Sequence, residues 1–256
     1  MNSSFAQLKS ALAERQRQTA PLRLFFRDDD VDEDEAALRR LLQLFLQRGT
    51  PINLGVIPGR LTAAGGELLA QSVSAAPALL ELNQHGWRHL NHEREGRKCE
   101  FGPSRTYAEQ SADIARGQAR MTEVFGPHWF PVFIPPWNRC AEDTYRALDQ
   151  LGFRALSAKQ GNSVVTGYGF KEISITLDLY RWRGGACLKS SEEIVDDLIA
   201  QLSRPQTIGV MLHHKVMDEP AFSFLGSLLD TLASRPIVRF HTFQSLLQLS
   251  DEASQV

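Results

Sequence analysis

Short apolar runs alternate with helix-periodic segments along most of this chain, and few folds accommodate that order. Residues 22–26 form a strand-length apolar run. Leu38, Leu41, Leu42 and Phe45 then recur at helical spacing until Gly49, and a second strand follows at 52–57. Strand, helix and strand in that order make a βαβ unit, whose two strands run parallel. Further strand-like runs lie at 79–82, 130–134, 153–156, 173–177, 207–212 and 237–240, with helical patterns at 67–74, 104–125, 142–151, 191–202 and 222–233. Seven or eight strands alternating with helices predict an α/β chain forming a distorted (β/α)7-type barrel, single domain, with a doubly wound open sheet as the alternative. Residues 1–20 predict an outer helix with Phe5, Leu8 and Leu12 on one face, ahead of the domain at 21–256.

Composition narrows the function classes. The net charge is −2 over 256 residues with both signs interspersed, so no basic stripe predicts a nucleic-acid or membrane partner. No stretch approaches the ~18 uninterrupted apolar residues of a membrane span. Cys99, Cys140 and Cys187 are widely spaced and odd in number, which predicts free thiols and, with the polar N-terminus, a cytoplasmic chain.

The chemistry concentrates at strand ends. His85 and His89 stand four residues apart, so on a helical or helix-like turn their imidazoles would lie one above the other and converge on one metal ion. Two neutral imidazoles still leave a dication in need of an anionic ligand, and Asp28, Asp29 and Asp30 follow the first strand. Pro135 to Trp137 and His213 also fall at the C-terminal ends of expected strands, the rim where β/α barrels build active sites. Residues 86–88 are Gly, Trp and Arg, which excludes the zinc-peptidase His-Glu-x-x-His, and no Gly-x-Ser-x-Gly is present. In the run ending at Leu212, His213 is the first polar residue past the strand, and alternation directs His214 the other way.

These motifs, in this order, resemble those of the polysaccharide deacetylases, carbohydrate esterase family 4, with their NodB-homology domain. The family's Thr-Phe-Asp-Asp-Gly is matched by Phe26-Arg27-Asp28-Asp29-Asp30, its His-(Ser/Thr)-x-x-His by His85-Gly86-Trp87-Arg88-His89, and its Arg-x-Pro-Tyr by Ile134-Pro135-Pro136-Trp137. Its Asp and Trp motif is matched by the stretch from Asp178 to Trp182, and its Leu-His by Leu212-His213. The resemblance implies hydrolysis of an N-acetyl or O-acetyl group on a sugar or glycoside. It implies one divalent ion, most often zinc, held by Asp29, His85 and His89. Asp28 would be the general base and His213 the general acid. The Trp137 amide would serve the oxyanion, with Pro136, Asp30 and Trp182 among the substrate contacts.

Two departures stand out. Gly86 replaces the hydroxyl residue of the second motif, and Ile134 replaces the Arg that orients the base in the family. Arg139 or Arg27 are the candidates to replace it. The alternatives are a catalytically impaired sugar-binding relative and a metal-dependent hydrolase of another non-peptide C–N bond.

Overall fold

A computed structural model describes residues 2–17, 20–161, 167–204 and 207–253. Helix α1 (Asn2–Arg15) precedes strand β1 (Leu22–Val31). Then follow α2 (Ala36–Leu46), β2 (Ile52–Val56), α3 (Ala63–Ala75), β3 (Leu80–His85), α4 (Tyr107–Phe125), β4 (Trp129–Ile134), α5 (Glu142–Gln150), and the two-residue strands β5 (Ala155–Leu156), β6 (Lys171–Glu172) and β7 (Leu177–Asp178). A small antiparallel hairpin, β8 (Tyr180–Arg181) and β9 (Cys187–Leu188), leads to α6 (Ser191–Leu202), β10 (Ile208–Leu212), α7 (Glu219–Ala233), β11 (Val238–Phe240) and α8 (Phe243–Ala253).

The main sheet is parallel throughout, in the order β6-β5-β4-β3-β2-β1-β10-β7, with β11 against the start of β1. The segment from Lys171 to Asp178 pairs with β5 at its first end and with β10 at its second. Along the way the Ile175 amide donates to Ala158 O and the Thr176 amide to Gly209 O. One split stave therefore joins the two edges of the curled sheet, making seven staves among the described residues. This is the distorted (β/α)7 barrel that the alternation predicts.

Strand β1 shows how alternation sorts the core. Leu22, Leu24 and Phe26 pack outward against the helix layer, while Phe25 joins Val132, Ile134, Ile173, Ile175 and Met211 inside the barrel. Helix α8, which the sequence reading did not assign, plugs the lower end of that interior. Its Phe243 meets Phe25 edge-on at 5.1 Å, the Phe243 amide donates to Asn53 Oδ1 over 2.8 Å, and the Gln244 amide donates to Glu81 Oε2 over 2.9 Å. The exposed amides of a helix start thus find two buried acceptors. Thr242 Oγ1 accepts from the Ser245 amide at 3.3 Å, and this local cap was the signal available in sequence.

Helix α1 lies on the outside as expected, with Phe5, Leu8 and Leu12 buried and Arg15 Nε donating to Leu202 O over 2.9 Å. Among the described residues, no helix is long and apolar enough to cross a membrane.

Candidate metal centre

His85 is the last residue of β3 and wholly buried; its Nδ1 lies 3.0 Å from the Ile134 carbonyl. A carbonyl only accepts, so Nδ1 carries the proton and Nε2 presents a lone pair, the tautomer a metal ligand needs. That Nε2 lies 3.2 Å from Asp30 Oδ1, and His89 Nε2 lies 3.2 Å from the same oxygen. Lone-pair atoms at that separation repel unless a proton or a cation lies between them. A tetrahedral ion with bonds of ~2.0–2.1 Å sets its ligand atoms ~3.3 Å apart. The two 3.2 Å separations are close to that edge length, and the three donor atoms all lie within 4.8 Å of one another. Two imidazole nitrogens and one carboxylate oxygen are also the donor set of a divalent transition ion.

Electrostatics bind the three groups together. Burial acts to raise the Asp30 carboxyl, but the hydrogen bond and charge of His85, with His89 and His213, hold it well below the usual carboxylate range. Burial acts to lower His85, and the charges of Asp29 and Asp30 override it and raise the imidazole. Burial and the neighbouring His85 push His89 down to about 4.

The two histidines do not share a helical turn. His85 ends a strand, and Gly86 and His89 take left-handed φ values of 59° and 55°. A Cβ at Gly86 would lie 2.3 Å from Glu100 Oε2 and 2.5 Å from Pro136 Cγ, which explains Gly in place of a hydroxyl residue. Glu100, which sequence reasoning missed, holds the turn from behind: its carboxylate accepts from the Trp87 and Arg88 amides at 3.3 and 2.7 Å.

The acidic triplet is distributed differently from the expected register. Asp30, and not Asp29, makes the short contacts with both imidazoles, while Asp28 points away from them. Alternation puts Arg27 and Asp29 inside the barrel and turns Asp28 out toward the helix layer, where Oδ1 accepts from the His214 amide (2.8 Å) and Oδ2 meets His214 Nδ1 at 2.5 Å. Asp30 would also point outward in a regular strand. Its φ of 69°, at a register break between β1 and β2, swings it back over the rim to the imidazoles. Asp30 is therefore the carboxylate that contacts both imidazoles.

Asp29 is held by Arg27. Nη2 donates to Oδ2 over 2.8 Å, and Nε lies 2.8 Å from Oδ1 at ion-pair distance without hydrogen-bond alignment. Arg139 is directed elsewhere, with Nη1 donating to Lys98 O over 3.1 Å. His213 Nε2 lies 4.0 Å from Asp29 Oδ2, and its ring packs edge-on to Trp182 at 4.4 Å. Trp182 Nε1 donates to Asp178 over 2.9 Å, which joins the two ends of the fourth motif. On the opposite side the Trp137 ring lies 4.3 Å from that of His89, while Pro136 is buried behind, against Gly86.

Asp30, His89, Trp137 and Asn138 are the positive-φ non-glycine residues among the described residues, and all four belong to this centre or its border. Such conformations cost of order 1–3 kcal/mol each and persist where the surroundings over-determine them, as at functional sites.

A barrel with a two-histidine, one-carboxylate centre on the C-terminal rim of its parallel strands is the class these features define. No protein-family sequence model matches the chain, and no curated protein matches it by sequence. Solved structures do share the fold. A Mycobacterium smegmatis protein assigned to the polysaccharide deacetylases superposes with TM-score 0.73 at 15% identity, over 92% of this chain and 95% of that one. A family 4 acetyl xylan esterase from Clostridium thermocellum, in complex with a cobalt ion, gives 0.61 at 16%, over 90% and 92%. The peptidoglycan deacetylase PdaC from Bacillus subtilis gives 0.56 at 12%, over 94% and 96%. The fold is that of the polysaccharide deacetylases and family 4 carbohydrate esterases.

Proposed function

We infer that this chain is a metal-dependent deacetylase that removes an N-acetyl or O-acetyl group from a carbohydrate. The observation that carries the reading is the Asp30, His85 and His89 cluster, with ligand separations of 3.2 Å, beside a second, guanidinium-held carboxylate at Asp29. The motif order in sequence and the fold shared with deacetylases and esterases support it.

Asp30, His85 and His89 would hold the ion, zinc or a similar dication. Bound there, it supplies a Lewis acid for the acyl oxygen and lowers the pKa of a coordinated water from ~15.7 toward ~7. Asp29 takes the proton as water attacks the acyl carbon, in place of the Asp28 of the motif alignment. The Trp137 amide, on its left-handed turn, donates to the oxygen that gains charge. His213 Nε2, across from Asp29, gives its proton to the leaving nitrogen or oxygen as the bond to the acyl carbon breaks. The Trp182 ring limits how far the His213 imidazole can rotate, and Trp137 and Trp182 offer two aromatic faces for a sugar on either side of the centre.

Acetate release from N-acetylhexosamines, chitooligosaccharides, nucleotide sugars and acetylated xylan, by ion-loaded and chelator-treated protein, tests the reading. Release that chelation abolishes and added ion restores is expected. No release from any of these by ion-loaded protein would overturn it.

A further inference from the structure

We propose that Arg27 is the positioning residue of this centre, supplying from β1 the guanidinium that Ile134 does not supply from the end of β4. The role given to Asp29 rests on the deacetylase reading above; the placement of the guanidinium does not.

Arg27 is fully buried, and its two terminal nitrogens donate to four oxygen acceptors. Nη2 donates to Asp29 Oδ2 (2.8 Å) and to Asn138 Oδ1 (2.6 Å). Nη1 donates to the carbonyl and hydroxyl of Ser157 at 2.8 and 3.0 Å, and Nε faces Asp29 Oδ1. A planar fork held by four hydrogen bonds and one further ion-pair contact keeps its partner in one orientation, which a lysine could not do. Asn138 matters because its φ of 56° is left-handed and it follows Trp137. One guanidinium thus ties the carboxylate to the turn that carries the Trp137 amide and ring.

Ile134 shows why this is a relocation. Its Cδ1 and Asp29 Oδ1 lie 3.2 and 3.3 Å from the point where a Cβ on Gly55 would stand, so the two side chains are neighbours inside the barrel. A side chain from position 134 enters the same part of the barrel as Asp29, but as isoleucine it has no donor. Period-two alternation puts residue 27 on the same inner face as residue 29, so β1 can deliver both charges of the pair.

The experiment moves the guanidinium back. Arg27→Leu, Arg27→Lys and the double variant Arg27→Leu/Ile134→Arg are compared with wild type for bound zinc, thermal midpoint, kcat and KM. Arg27→Leu is expected to keep its zinc and its KM, to lose ~10²-fold in kcat through misplacement of the base, and to melt lower. Arg27→Lys should recover little. The double variant should regain about tenfold or more of the kcat and part of the lost midpoint, which a packing role for Arg27 would not produce. If Arg27→Leu does not fold, Arg27→Leu/Asp29→Asn, which removes both buried charges, should fold and bind zinc. An unchanged kcat in Arg27→Leu, or no recovery of the midpoint in the double variant, would overturn the proposal. Should wild type prove inactive on every acetylated sugar, the deacetylase reading falls, and the midpoint comparison alone decides the place of Arg27.

Discussion

Asp28 and His214 form a fully buried pair in which one carboxylate accepts from both the backbone amide and the ring of the same residue, at 2.8 and 2.5 Å. The far ring nitrogen lies 2.6 Å from Glu35, the residue at the N-cap of α2. Burial acts to lower this imidazole, but Asp28 and Glu35 overcome it and raise it above its ordinary value. The pair joins the end of β1, the loop after β10 and the start of α2, immediately behind Asp29 and His213.

Removing the ring would leave Asp28 buried without its partner, which typically costs about 3–5 kcal/mol. His214→Gln is therefore expected to lower the thermal midpoint by roughly 6–20 °C. A group raised on folding stabilises fully below its unfolded value, ~6.5 for His, and the stabilisation is lost as pH rises through the raised value. The gap between wild type and His214→Gln should be widest in mild acid and close toward alkaline pH. Melting both proteins across pH checks this, and a gap that widens with pH would remove the buried imidazolium from the account.

The register of the acidic triplet separates by metal content. Asp30→Asn should lose the ion, whereas Asp29→Asn and His213→Ala should keep it and lose ~10²–10⁴-fold in kcat. Metal analysis of the three variants beside acetate-release kinetics measures both quantities. Ion lost from Asp29→Asn and kept by Asp30→Asn would return the ligand to the motif-aligned position.

Protons should compete for the ion through one imidazole. His85 is raised and takes its proton first as pH falls, while His89 resists protonation down to about 4. Apparent affinity should fall about tenfold per pH unit below the raised His85 value, the dependence of a single displaced proton. Calorimetric titration of metal-free protein across pH reads that slope, and a hundredfold loss per unit would show both rings titrating together.

Gly86→Ser would supply the hydroxyl residue of the deacetylase motif that this segment resembles, and the structure refuses it. The left-handed φ alone costs about 1–3 kcal/mol, and the new Cβ meets Glu100 and Pro136 well inside contact distance. The variant should melt below wild type and bind zinc more weakly. Wild-type midpoint and affinity in Gly86→Ser would mean the turn can relax freely.

Much of this centre was legible before folding. The period of the apolar runs predicted parallel strands and a barrel, and the strand ends pointed to His85, His89, Trp137 and His213. The separation of His213 from His214 also followed from strand alternation. Glu100 carried no signal, because a carboxylate that accepts two amides of a distant turn looks like any other charged loop residue. Helix α8 did carry one, in Thr242 ahead of Phe243, Leu246 and Leu247.

The sequence by itself determined which residue types could meet at the rim: two imidazoles, three consecutive carboxylates and a guanidinium beside them. It did not determine where each carboxylate stands. Three identical neighbours leave the motif register open by one residue, and a one-residue slip sends a side chain to the opposite face of a strand. The tertiary structure decided it, because the curl of the sheet and the left-handed backbone at Asp30 bring that side chain to His85 and His89, while regular alternation leaves Asp29 with Arg27 inside and Asp28 with His214 outside.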